Sequence, residues 1–317
     1  MPRQSDGEGS RGSKPRFRAP IPAPTGRDVG TVSAQMALNV GIFLVPDASD
    51  AERTVDLAVA ADRAGLDVVA IQDHPYQRRF LDTWTLLSYL GARTERIRLV
   101  PDVLNLPLRL PTMIAKSVAS LDLLTNGRVE LGIGAGAFWE GVEAMGGPRR
   151  SPGASVEALE EAIQIIKGFL ATERSLRLDG EHYRVAGAKP GPPPAHRVGI
   201  WVGAYRPRML RLTGRLADGW LPSVGGGYMA PEDVADRQAT IDEAAASAGR
   251  DPAEIARVAN IGLGQDPRSW LDPDRLARTA SELRFDTLLL GVPDDDPLDF
   301  IERLGSEAIP AARERLG

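Results

Sequence analysis

The chain of 317 residues contains no cysteine and only three histidines, His74, His182 and His196, spread far apart. The first absence removes disulfides, zinc–thiolate sites, cysteine-held iron–sulfur clusters and thiol nucleophiles together. The second argues against a histidine-rich metal site, and no metal is assigned. Long apolar runs are also missing. The longest, such as LDVVAI and DTLLLG, fall far short of the roughly 20 residues that a membrane helix needs, so no membrane partner is expected. Neither sign of charge dominates: the net charge is −5 with both signs interspersed, which argues against a nucleic-acid partner. Hydrophobic residues at 43% and charged ones at 26% match a soluble globular average and exclude wholesale disorder. A cytoplasmic setting is expected. Any chemistry must then come from a few protein groups or from a borrowed cofactor.

The first 30 residues differ from the rest. They hold five glycines, five prolines and six basic against three acidic residues, with very few aliphatics. Such a segment cannot bury enough apolar surface to offset its ordering entropy, so residues 1–35 are read as a disordered tail. It lacks both the apolar stretch of about 7–15 residues and the twin arginine of export signals. Its charge of +3 leaves −8 on residues 36–317. Met36 precedes the first strand-like run and is a candidate natural start.

From residue 37 one rhythm repeats. Strands are expected at 38–45, 66–71, 96–103, 128–134, 197–203, 218–223, 255–264 and 285–291. Helices are expected at 51–64, 82–91, 111–125, 154–170, 206–217, 231–249, 273–283 and 296–314. Within the third helix Ile114, Val118, Leu121 and Leu124 share one face, and Asn126-Gly127 supplies a left-handed stop. Val156, Leu159, Ile163 and Ile166 do the same in the fourth. Residues 171–196 break the rhythm: RLDGEHYRV reads as a short β excursion and KPGPPPAH as an extended surface connector. Near-continuous apolar strands separated by helices imply parallel pairing. Eight units in about 280 residues fit an α/β fold, a (β/α)8 TIM barrel with an insertion after strand 4. An open doubly wound sheet normally shows an early G-x-G-x-x-G turn, and VGIFLVPDA lacks it. One barrel over 36–317 is the reading.

In such barrels the chemistry lies where the strands end. His74 beside Asp73 has the makings of an oriented acid/base; equally, Asp73 caps the next segment and His74 fills a loop. Glu140, with Phe138 and Trp139, follows the fourth strand at the mouth, where the aromatics either stack on a ring system or make a plain helix–helix contact. Gly134 and Gly136, at the end of that strand, let backbone N–H groups approach a flat or anionic ligand closely. Gly203, Ala204, Tyr205 and Arg206 join a strand to a helix start, where free N–H groups and Arg206 and Arg208 favour an anion over a tight turn with solvated arginines. Glu130, inside an apolar strand, is read as structural. His182 and His196 are read as surface residues.

Three stretches together resemble the luciferase-like superfamily of flavin- and deazaflavin (F420)-dependent oxidoreductases. They are LDVVAIQDHP, the long run from RIRLVPDVLNLPLRL through LTNGRVELGIGAGAFWEG, and VGAYRPRMLRLTGRLADGW. The resemblance spans about 37–317 and implies a barrel with an insertion after the fourth strand. It further implies an isoalloxazine or deazaflavin ring at the mouth and a non-prolyl cis peptide at Asp102-Val103 behind it. His74 would lie near the reactive ring with Asn105 beside it, and Gly203-Ala204 would lie at the cofactor phosphate. Deazaflavin sugar-phosphate dehydrogenases of the superfamily carry a glutamate directly after the fourth strand's Gly-x-Gly. Here that place is Ala137, which speaks against that substrate. The activity implied first is hydride transfer between F420 and a small organic substrate, with His74 first and Glu140 second as the catalytic proton donor. The alternatives are an FMN monooxygenase that uses oxygen, and a flavin-binding barrel without turnover. A homodimer is expected.

Overall fold

The computed structural model describes residues 38–171 and 174–317. The tail expected over 1–35 lies outside the described residues. Eight strand positions form one parallel ring. The first two are β1 (Asn39–Leu44) and β2 (Val68–Ile71); the third is split into β3 (Arg98–Pro101) and β4 (Leu104–Asn105), and the fourth is β5 (Leu131–Gly134). An antiparallel hairpin, β6 (Leu176–Asp179) and β7 (Arg184–Ala188), forms the insertion after that position. The ring continues through β8 (Ile200–Val202) and a sixth position split into β9 (Gly219–Trp220) and β10 (Ser223–Gly225). It ends with β11 (Ala256–Leu263) and β12 (Thr287–Leu290). Each position pairs in parallel with its neighbours, and β12 returns to β1. A parallel bridge between Leu99 and Val129 closes the ring between the third and fourth positions. This is the (β/α)8 barrel.

The helices between strands are α1 (Ala51–Ala64), α2 (Thr83–Arg93), α3 (Pro111–Leu124), α4 (Trp139–Ala144), α5 (Pro152–Ala171), α6 (Pro207–Leu216), α7 (Val234–Ser247) and α8 (Pro273–Leu283). After β12 come α9 (Pro297–Arg303) and α10 (Ile309–Arg315). Their boundaries follow local chemistry. Asp50 accepts from the Arg53 N–H to start α1, and Gly65, at φ 83°, ends it, as capping preferences require.

Four expectations needed correction. The third strand is not continuous: the Asp102–Val103 peptide is cis and divides it. The sixth is divided around Pro222, which has no N–H to give to a ladder. The short helix α4 occupies a stretch read as loop. The last helix is broken by a π turn at Leu304–Ala308, because Pro310 cannot donate and crowds the carbonyl four residues earlier.

Side chains alternate across each strand. One set of alternate residues, Val68, Ala70, Val100, Trp201, Leu221 and Val258, fills the barrel lumen as its own cluster. The larger core lies outside, between strands and helices. One pleat nearer the strand ends, the inward positions become Asp102, Gly134, Gly203, Ser223 and Asn260. The lumen therefore changes from apolar to polar just beneath the mouth.

Candidate functional site

The floor of the mouth is built around Val103. Its side chain lies where a Cβ on Gly134 would stand 2.8 Å from Val103 Cγ2, and one on Gly203 would stand 3.2 Å away. Both glycines are thus needed for the close approach of the segment after β3. Gly136 has φ 94° and packs on Pro107 and Trp139. Beneath this floor Asp102 is buried, with Oδ2 lacking any partner. Burial, opposed by a hydrogen bond from Asn260, pushes its carboxyl up to about 7. Asn260 reaches Ser223 Oγ at 3.4 Å, and the Ser223 N–H donates to Tyr205 Oη at 2.8 Å. Burial raises the Tyr205 phenol.

Asp73 does something different from its expected part. Its side chain is fully buried; Oδ2 accepts from the Asn105 N–H at 2.8 Å and Oδ1 from Arg109 Nη2 at 3.2 Å. It ties the segment after the cis bond to the end of β2. His74, half-buried, stands at the rim with Nδ1 2.6 Å from Tyr76 Oη. The Tyr76 ring in turn lies 5.2 Å from Phe138. Burial lowers the His74 pKa, partly offset by the Asp73 charge, so the imidazole is neutral at pH 7. When Tyr76 donates to Nδ1, Nε2 carries the proton; when Nδ1 donates, Nε2 is a free base. The ring can therefore give or take a proton at Nε2.

Glu140 is not brought to this group. It sits in α4 with its side chain 67% exposed and an ion pair to Arg149 at 2.9 Å. Its own backbone N–H and Arg149 hold the carboxyl below its usual range, which leaves no proton to donate. Ala204 accepts from Trp220 Nε1 at 2.9 Å through its carbonyl. Arg206, exposed, precedes α6 and provides no side-chain cap; Pro207 has no N–H and the Leu210 N–H is given to the Arg206 carbonyl, which leaves the N–H groups of Arg208 and Met209 open.

The other two histidines are not freely solvated surface residues. His196 bridges two carboxylates at the opposite end of the barrel, with Nδ1 2.8 Å from Asp122 and Nε2 3.6 Å from Glu130. Glu130 accepts from the Gly199 N–H at 2.6 Å and is a strand-base carboxylate. The His182 side chain is only 13% exposed and lies 3.6 Å from Glu157. Sequence reasoning missed Tyr76, Arg109 and Asn260. Asn260 carried a signal, as a lone amide in the apolar strand ARVANIGL. Arg109 carried none, because its partners are 36 and 27 residues away.

A deazaflavin or flavin fits this mouth on three observations. Three buried polar atoms there, Asp102 Oδ2, Asn105 Oδ1 and Asn260 Oδ1, have no protein partner. Two glycines leave room behind Val103, and a helix start with open N–H groups adjoins the floor.

The model of the luciferase-like monooxygenase family matches residues 27–264. The 5,10-methylenetetrahydromethanopterin reductase of Archaeoglobus fulgidus is 30% identical over 281 residues, 88% of this chain and 78% of that protein. The F420-dependent glucose-6-phosphate dehydrogenase of Nocardia farcinica is 32% identical over 221 residues, 67% of this chain and 64% of that protein. Among solved structures, an F420-dependent secondary alcohol dehydrogenase with an F420–acetone adduct superposes with a TM-score of 0.77 at 18% identity. That match covers 87% of this chain and 99% of the other.

Proposed function

The chain belongs to the luciferase-like monooxygenase family, and on that premise we propose that it is an F420-dependent oxidoreductase acting on a small organic molecule. The observation that carries this reading is the mouth itself. A neutral, oriented His74 stands at the rim above a glycine floor whose buried polar atoms lack protein partners. Identity of 32% to a dehydrogenase named for F420 supports the choice of cofactor.

The bound deazaflavin would supply a ring that gives or accepts hydride. The protein's part is to seat that ring and manage one proton. Val103, with Gly134 and Gly203 beside it, shapes the seat; Asn105, held by Asp73, and Asp102 with Asn260 offer polar atoms to the ring system. Gly203, whose own N–H is given to the Ile133 carbonyl, would leave room for close approach, and the turn through Ala204, Tyr205 and Arg206 would offer N–H groups and a positive charge to a phosphate. Gly136 shapes the adjoining turn. His74 Nε2 passes a proton to or from the substrate oxygen as hydride moves, with Tyr76 setting its tautomer. Glu140 would serve at most at the rim. A homodimer is part of the proposal, supported by the exposed Tyr89 and Met113 on α2 and α3. Light scattering that returns a monomer mass would remove it.

Expression in a host that makes both cofactors, followed by mass spectrometry of what copurifies, tests the cofactor. F420 alone is expected. FMN alone would replace this reading with the oxygen-using monooxygenase, and neither, with no binding on titration, would remove both.

A further inference from the structure

A separate cleft of about 290 Å³ opens on the rim, between the segment after β4 and the turn after α4. Leu108, Leu110 and Met145 form its apolar walls, and Arg109, Arg150 and Tyr183 its polar ones. The two arginines are not equivalent. Arg109 Nη2 is spent on Asp73 at 3.2 Å and Asp82 at 2.6 Å. Arg150 has no ion-pair partner among the described residues. Its guanidinium lies over the Tyr183 ring, 5.3 Å from the centroid, and Nη2 donates to Tyr183 Oη at 3.3 Å. Nη1 is buried with no acceptor. The nearby carboxylates Glu140 and Glu143 are both taken up by Arg149.

A guanidinium that lies over an aromatic ring and donates to its hydroxyl is restrained in orientation. A guanidinium at a cleft wall with no carboxylate partner favours an oxyanion. The walls then decide what the oxyanion is attached to. Leu110 is 63% exposed and Met145 51%, apolar surface that water covers poorly. The turn carrying Met145 is well seated, since a Cβ on Gly147 would stand 2.8 Å from Leu108 Cδ2. The cleft is near the lower size limit of ligand pockets. We propose that it binds a small amphiphilic carboxylate, with the carboxylate on Arg150 and the apolar body along Leu108, Leu110 and Met145.

The proposal stands apart from the cofactor reading and is tested on the full chain freed of cofactor. Octanoate, octanol and inorganic phosphate are titrated separately by calorimetry. Octanoate is expected to bind with a Kd below about 5 mM, and the other two at least about tenfold more weakly. Arg150→Gln should weaken octanoate about tenfold or more, with the circular dichroism spectrum unchanged. Met145→Glu, at an exposed rim position that folding does not need, should weaken it about fivefold or more. No octanoate binding, or equal binding by both variants, would overturn the site. Octanol or phosphate binding as tightly as octanoate would overturn the amphiphilic carboxylate.

Discussion

The two ends of the barrel treat their polar groups in opposite ways. At the N-terminal base, carboxylates accept from backbone N–H donors. Asp62 accepts from Glu95, Arg96 and Ile97 at 2.7–2.9 Å. Asp67 accepts from Val40, Asp286 from Arg257 and Asp218 from Ile200. Asp122, with no exposure, accepts from the N–H groups of Val129, Ala195 and His196 and contacts the His196 ring. Each ties the start of one strand to a neighbouring element. At the mouth, Asp102, Asn105 and Asn260 keep buried oxygens without partners. The base carboxylates hold strands together, whereas the unpartnered oxygens at the mouth are those that the proposed function assigns to a ligand. That division predicts which substitutions damage stability and which damage binding or turnover.

The largest effect is expected for Asp122→Ala. Removing one carboxylate strands three N–H donors and a cationic ring, costing about 3–5 kcal/mol. Urea denaturation should show the loss while cofactor affinity at low temperature stays near wild type. Loss of affinity without loss of stability would break the division. Next comes His74→Ala at the mouth, expected to lower kcat about 100-fold with the unfolding free energy within about 1 kcal/mol of wild type. Full turnover in that variant would remove the proton-donor role.

Gly134→Ala pushes a methyl group against Val103. Cofactor binding, followed by fluorescence, should weaken about tenfold, or about 1.4 kcal/mol. A smaller effect belongs to pH. Glu130 and Asp122 push His196 up to about 9, above its unfolded value. The stabilisation is therefore complete below about pH 6.5 and lost as pH rises through about 9. The urea midpoint should fall between pH 7 and 10 in wild type and fall less in His196→Asn; parallel curves would refute the bridge. Smallest of all is Glu140→Gln. An exposed pair with Arg149 contributes little, so stability and turnover should both match wild type. A hundredfold fall in turnover would restore Glu140 as a donor.

Much of this was legible beforehand, and the reason lies in the distances involved. Helices α1 and α8 follow from caps and periodicity within a few residues, and the structure has them at 51–64 and 273–283 as read. Positions 73, 74, 102, 103 and 134 were singled out because strand ends define a barrel's mouth, and the structure has them at the ends of β2, β3 and β5. Glu140 was misplaced because helix α4, read as loop, carries it outward to Arg149. His196 was misread because its partners, Asp122 and Glu130, lie 74 and 66 residues away.

By itself the sequence determined the repeating strand–helix order, the parallel barrel and the absence of thiol chemistry, since these depend on composition and on spacings of a few residues. Only the tertiary structure decided which polar groups pair. Asp73 became a tether for Asn105 and Arg109, His74 gained Tyr76, and Asp102 was left buried without a full set of partners. Such outcomes depend on which strands the closed ring brings side by side, and on how much water the surrounding packing excludes from each group.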